Sequence, residues 1–135
     1  MPVAASQELL WLAAVTALTG VLWLPHVLAI LFQNPVRALT NPSGAIELES
    51  QWAQRSKRAH ANAVENLVIF APLAILVHIL QAGDGLTALA AMIYFHARVA
   101  HYVIYTLGIP TLRTIAFLTG VACQAVLALR LFGLV

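Results

Sequence analysis

Charged side chains are scarce in this chain, and their scarcity excludes an ordinary soluble domain. Only 9% of the 135 residues are Asp, Glu, Lys or Arg, whereas 61% are hydrophobic, and the mean hydropathy is +0.88. A soluble domain carries roughly a quarter charged residues, because they cover its surface. The composition therefore predicts an integral membrane protein whose main partner is the lipid bilayer.

Basic residues and cysteine are also few. Seven Lys and Arg against five Asp and Glu give a formal net charge of +2. Nucleic-acid binding needs a basic face, so we expect no nucleic-acid partner.

Cys123 is the one cysteine, which rules out an internal disulfide and predicts a buried thiol. The histidines show no helical ligand spacing, so no metal site is predicted.

Long apolar runs are present instead, and they predict the fold. Four segments, 8–32, 61–80, 86–107 and 113–132, are each long enough to cross about 30 Å of hydrocarbon. In lipid each must satisfy its own backbone, so all four are predicted to be helices. We expect an all-α, four-helix transmembrane bundle forming one domain over 1–135. No Lys or Arg precedes the first run, which is too long for a signal peptide, so we expect that helix to be retained.

The distribution of basic residues predicts the orientation. The first connection, 33–57, together with the adjoining Arg58, carries four of the seven Lys and Arg, and Asn-Pro and Ser-Gly pairs at 34–35, 41–42 and 43–44 mark turns in it. The second connection holds only Asp84, and Arg113 follows the third. The positive-inside rule then places the first and third connections in the cytoplasm and both termini outside it.

Two polar stripes interrupt the apolar segments. Arg58, Asn62 and Glu65 share one side of the second helix, at a membrane boundary. On the third helix, Arg98 lies within the bilayer and must face a partner or a wet cavity. We predict that it contacts Glu65. The members of the third-helix stripe are Arg98, His101, Tyr102 and Tyr105.

The two stripes allow two interpretations. A salt bridge that only holds two helices together would explain Arg98 and Glu65. The surplus of donors around them favours a polar, anionic ligand instead. Arg113 and Thr114 open the fourth helix, where a guanidinium beside free helix N–H groups suits an anion or a thiolate. Arg113 is alternatively a flanking charge that reaches back to the interface.

These motifs resemble a known family. The pattern RxxRAHxNxxE at 55–65, RVAHxxxY at 98–105 and GxPxxRT at 108–114 resemble those of the MAPEG family, the membrane-associated proteins in eicosanoid and glutathione metabolism. They are most similar to its prostaglandin E synthase and microsomal glutathione transferase branch. Ala61 departs from the pattern, since some relatives carry another Arg there, and Arg37 is a candidate for the family's inner-rim basic residue.

The resemblance implies a bacterial-type inner-membrane protein, a homotrimer of four-helix subunits that binds glutathione between subunits near the cytoplasmic side. Arg113 would stabilise the glutathione thiolate, with Thr114 where relatives often have Ser. The residues implied to bind glutathione are Arg58, Asn62, Glu65, Arg98, His101 and Tyr105.

Three functions remain open at this point. The leading hypothesis is a glutathione-dependent transferase or peroxidase that takes a lipophilic electrophile from the bilayer. The second is a non-enzymatic trimeric membrane protein whose polar cluster is structural or binds another anion. A third, a haem-binding bundle, requires His26 and His101 to meet.

Overall fold

The computed structural model describes residues 5–42 and 46–135, and this part of the chain is all helical with no strand. Ser43 and Gly44, predicted to form a turn, lie outside the described residues. Six helices follow in chain order: α1 Gln7–Val21, α2 Leu24–Gln33, α3 Pro35–Thr40, α4 Gln51–Ile79, α5 Gly85–Leu107 and α6 Pro110–Leu131.

The first predicted helix is divided at residues 22–23, beside Pro25. Proline has no N–H to give the carbonyl four residues earlier, so the helix breaks there. Trp23 closes the break by donating its indole N–H to the Gly20 carbonyl at 2.8 Å. The helix is therefore interrupted beside Pro25, and α1 and α2 share one membrane-length run, Gln7–Gln33.

The second predicted helix begins ten residues earlier than its apolar core. α4 starts at Gln51 and carries residues 51–60 as a polar extension that is continuous with the membrane segment. The predicted boundary at 61 marks only the change in hydropathy along this helix. α5 begins one residue earlier than predicted and ends at Leu107 as predicted, whereas α6 begins three residues early and ends one residue early.

Three runs are long and apolar enough to cross a membrane: Gln7–Gln33, Gln51–Ile79 and Pro110–Leu131. α5 has 23 residues, which is sufficient length. Its mean hydropathy is too low for a candidate membrane span, because Arg98, His96 and His101 are polar. The four-helix transmembrane bundle thus remains a prediction.

The core lies between α1, α4, α5 and α6. Phe70 of α4 stacks on Tyr94 of α5 with ring centroids 3.8 Å apart, and Val15 and Leu127 close this cluster from α1 and α6. Large apolar side chains also point outward, including Val68 at 70% exposure. Exposed apolar surface on this scale is typical of lipid or subunit contact.

Hydrogen bonds and an ion pair hold the α4–α5 turn at the end of the bundle where α1 begins and α6 ends. Asp84 caps α5 by accepting from the N–H groups of Leu86 and Thr87, both at 3.0 Å. The Thr87 hydroxyl donates to the buried Glu8 of α1 at 2.5 Å, and Arg130 pairs with Asp84 at 2.7 Å. The hydrogen bond from the Thr87 backbone N–H, followed by the positive charge of Arg130, lowers the pKa of the Asp84 carboxyl.

Candidate functional site

The site is centred on a buried arginine in α5. Arg98 is 2% exposed. Its Nη1 donates to Asn62 Oδ1 in α4 at 3.2 Å, and its Nη2 donates to the Phe117 carbonyl in α6 at 3.4 Å. Its guanidinium carbon lies 5.5 Å from the Tyr94 ring centroid and 5.8 Å from that of Phe117, within cation–π range. Arg98 therefore links three helices at one point.

A glycine in α6 makes room for this guanidinium. A Cβ placed on Gly120 would lie 2.6 Å from Arg98 Nη2 and 3.1 Å from Cζ, closer than any relaxed contact allows. Gly120 is buried, so the two helices approach closely here. Gly120 and Phe117 lie seven and four residues after Arg113, on one side of α6.

The predicted contact between Arg98 and Glu65 is wrong. Among the described residues the single ion pair joins Arg130 and Asp84, and Glu65 is exposed. The reason is helix rotation: Glu65 stands about 120° around α4 from the buried Ala59, whereas Asn62 stands about 60° from it. Asn62 thus reaches Arg98 at the inner edge of the stripe, and Glu65 does not.

Arg98 is consequently a buried cation without a carboxylate partner in the described part of the chain. Its Nε, also buried, has no hydrogen-bond acceptor there. Burying a charge without a counter-ion costs several kcal/mol. The neutral acceptors and aromatic rings around it offset only part of that cost.

An amide ladder continues from Asn62 into the apolar core. Asn66 Nδ2 donates to the Asn62 carbonyl at 2.9 Å and to its Oδ1 at 3.3 Å. Gln124 Nε2 of α6 donates to the Asn66 carbonyl at 3.1 Å. Both Asn66 and Gln124 are buried. These bonds hold Asn62 with its Oδ1 toward Arg98.

The other end of the site leads to Arg113. The His101 ring lies 5.5 Å from that of Tyr105 and 6.2 Å from that of Phe117. The guanidinium carbon of Arg113, which is half-buried, lies 4.5 Å above the Tyr105 ring. Aromatic rings thus connect Arg98 to Arg113. We name these residues the polar seam: Asn62, Arg98, Phe117, His101, Tyr105 and Arg113.

Three of the predicted site residues are exposed and lie beside the seam. Thr114 donates its hydroxyl to the Pro110 carbonyl at 3.1 Å. Arg58 and Glu65 are exposed on α4. Arg58 borders a groove of about 780 Å³, which Leu48 and Gln54 also line. Arg58, Asn62 and Glu65 thus lie along α4, and only Asn62 points into the bundle toward Arg98.

Tyr102 and the histidines of α2 and α4 have other partners. The Tyr102 hydroxyl lies 2.6 Å from Ser56 Oγ and donates to the Leu22 carbonyl at 3.3 Å. It therefore joins α5 to α4 and to the α1–α2 break and does not converge on Arg98. His26 packs on His60 with centroids 5.6 Å apart, whereas His101 packs on Tyr105 and Phe117. The haem hypothesis required His26 and His101 to meet, and it loses its basis.

A protein-family model described as the MAPEG family matches residues 8–133, nearly the whole chain. The chain belongs to the MAPEG family. The members of this MAPEG family include glutathione-dependent transferases and peroxidases, and they generally use glutathione. Comparison with curated proteins and with solved structures gave no match.

Sequence reasoning missed the α6 side of this MAPEG protein's site. Phe117, Gly120 and Gln124 follow Arg113 at i+4, i+7 and i+11, which is one helical face. The polar Gln124 in an apolar helix was a usable signal. The Phe117 carbonyl gave no signal in the sequence, because every residue has a backbone carbonyl.

Proposed function

We propose that this MAPEG protein is a membrane-embedded glutathione-dependent transferase or peroxidase acting on a lipophilic electrophile. The observation that carries the proposal is the polar seam. It runs from a buried cation without a carboxylate partner in the described residues to the half-buried guanidinium of Arg113. Such an arrangement suits an anionic ligand whose reactive atom lies beside Arg113.

Arg113 is proposed to stabilise the glutathione thiolate. A free thiol has a pKa of about 8.5, and lowering it by two units requires about 2.7 kcal/mol. A guanidinium in a partly water-excluded site can supply an interaction of this size. The thiol proton passes to water, and the sulfur lone pair forms a C–S bond to the electrophile while the leaving group departs with its bonding electrons. With a hydroperoxide the sulfur attacks the terminal oxygen, the O–O bond breaks to give the alcohol, and a second glutathione reduces the resulting sulfenic acid to the disulfide and water. Thr114 adds a hydroxyl donor once it turns from the Pro110 carbonyl.

The remaining residues hold the peptide. Arg58 and Glu65, exposed on one side of α4, can pair with the carboxylates and the amino group of glutathione. Asn62 is fixed by Arg98 and Asn66 and offers its amide to the peptide backbone. His101 and Tyr105 form the wall between Arg98 and Arg113. Arg98, being buried, acts through Asn62 and through its positive charge.

The proposal includes the assembly and the orientation. Arg58 and Glu65 point away from the subunit, which supports a site completed between subunits of a homotrimer. The proposed subunit is one four-helix domain, with α1 and α2 together, α4, α5 and α6 spanning the bilayer. Both termini lie outside the cytoplasm, and the inner membrane of a bacterium is the proposed location.

Turnover in reconstituted vesicles tests this proposal. Glutathione and an activated aryl halide, or a lipid hydroperoxide, are supplied to wild type, Arg113→Leu and Arg113→Lys. We expect activity in wild type, partial activity with Lys and, at pH 7, roughly a 25-fold loss with Leu, which is the drop in thiolate fraction when the thiol pKa rises from about 6.5 to about 8.5. Equal activity in wild type and Arg113→Leu contradicts the role of Arg113.

The second candidate is a non-enzymatic membrane protein whose polar seam is structural. The observation in its favour is that Arg98 already bonds to Asn62 and to the Phe117 carbonyl inside one subunit. It predicts that Arg98→Leu destabilises the protein and that glutathione does not bind at millimolar concentrations. Equilibrium dialysis with labelled glutathione separates it from the enzyme hypothesis.

A further inference from the structure

We infer that Arg55 is a positioning residue for Arg113, acting through the α5–α6 turn. The inference rests on the proposed function, because it concerns how the thiolate-stabilising guanidinium is held. Arg55 lies in the first turns of α4 and is half-buried. Its Nε donates to the Thr106 carbonyl at 2.9 Å. Carbonyls in the last turn of a helix have no partner within it, and Arg55 supplies one from another helix.

The guanidinium of Arg55 also lies against the turn itself. Gly108 has φ +81, and a Cβ there would be 3.1 Å from both Nε and Cζ of Arg55. Glycine is required for the left-handed backbone, and its bare Cα lets the flat guanidinium approach. Arg55 thus contacts the turn on two sides, by a hydrogen bond and by packing.

This turn determines how Tyr105 and Arg113 face each other. Only Gly108 and Ile109 separate the end of α5 from the start of α6. The Arg113 N–H donates to the Ile109 carbonyl at 3.1 Å, so the first turn of α6 is built on the turn. A change in its conformation moves Arg113 relative to the Tyr105 ring, 4.5 Å away.

The opposite end of the bundle supplies a matched control. Arg130 Nε donates to the Ala82 carbonyl in the α4–α5 turn at 3.0 Å. Arg130→Met therefore removes the same type of bond as Arg55→Met, together with the ion pair to Asp84, at a turn remote from Arg113. A purely structural role for Arg55 predicts that the two variants behave alike.

The readout is the pH at which bound glutathione ionises, followed by the ultraviolet absorbance of the thiolate at saturating glutathione. We expect Arg55→Met to raise this midpoint by about one pH unit, a tenfold change in the thiolate fraction at a given pH below it. Arg130→Met should lower the unfolding temperature and leave the midpoint unchanged. Gly108→Ala should raise the midpoint as Arg55→Met does, because it displaces the guanidinium without removing a charge.

Arg55→Lys separates positioning from charge. It keeps the cation and can still reach the Thr106 carbonyl, but an ammonium cannot lie flat on Gly108. We expect Arg55→Lys to raise the ionisation midpoint by less than Arg55→Met does. If Arg55→Met does not fold, Arg55→Lys alone tests whether Arg55 positions Arg113. If the ionisation midpoint is unshifted in both Arg55→Lys and Gly108→Ala, the inference about Arg55 is wrong. A thiolate band in wild type would still support the proposed function in that case. A wild type without any thiolate band overturns both.

Discussion

Gly120→Ala is expected to destabilise this protein, against the usual effect of replacing a helical glycine. Such a change normally stabilises a helix by up to about 1 kcal/mol. Here the new Cβ would lie 2.6 Å from Arg98 Nη2, so the nitrogen must move by about 1 Å to reach a normal contact. The side chain is flexible, but its guanidinium is confined between Asn62 and Phe117.

The expected cost follows from what this movement disrupts. The bond from Nη2 to the Phe117 carbonyl is already 3.4 Å long and would be lost, and a hydrogen bond from a charged group contributes about 1.5–3 kcal/mol. Overpacking adds about 1–3 kcal/mol. After subtracting the gain in helix propensity of about 1 kcal/mol, we expect a net loss of about 1.5–5 kcal/mol in the free energy of unfolding.

Unfolding in a fixed detergent, followed by circular dichroism, measures this loss in a cycle with Arg98→Leu. Once the guanidinium is gone, Gly120→Ala should become neutral or stabilising, giving a coupling of about 2 kcal/mol or more. Gly20→Ala is the matched control, since a Cβ on this α1 glycine meets nothing within 4 Å. If Gly120→Ala costs the same with and without Arg98, the close packing of these two residues is refuted.

Further predictions concern topology, acid stability and binding. Cysteines placed at Thr40 and Gly85, both exposed, should be labelled from opposite sides of the membrane, Thr40 from the cytoplasm; labelling of both from one side contradicts the orientation. The lowered pKa of Asp84 stabilises the folded state above about pH 4, its ordinary pKa, and this contribution is lost as the pH falls through the folded-state value. Asp84→Asn should therefore remove part of the acid-dependent loss of stability, and identical acid profiles would argue against it. Arg58→Leu should raise the Kd for glutathione with little change in the ionisation midpoint of the bound thiol, whereas a shifted midpoint would place Arg58 at the sulfur.

Much of the fold was predictable because the decisive signals are local. Pro25 marked the break in the first helix, and Gly108 with Pro110 marked the turn between α5 and α6. The start of α4 at Gln51 was harder to place, because residues 51–60 are polar and hydropathy does not distinguish an exposed helical extension from a loop.

The site was predictable in its composition but not in its contacts. The sequence showed that Arg98 needs a polar partner, and depth in the membrane and charge pointed to Glu65. In the structure, the rotation of α4 turns Asn62 toward Arg98 instead. Gly120 carries no polar atom, so its role appears only when α5 and α6 are packed together. Arg55 was part of the quoted motif, but its bond to Thr106 spans 51 residues and has no local signal.

We propose that Arg113 keeps bound glutathione ionised. The most direct measurement is the ultraviolet difference spectrum at neutral pH when glutathione is added to wild type and to Arg113→Leu, with equilibrium dialysis confirming that both are saturated. We expect a thiolate band in wild type and its absence in Arg113→Leu, with glutathione still bound. A band of equal size in both proteins, or none in saturated wild type, would contradict it.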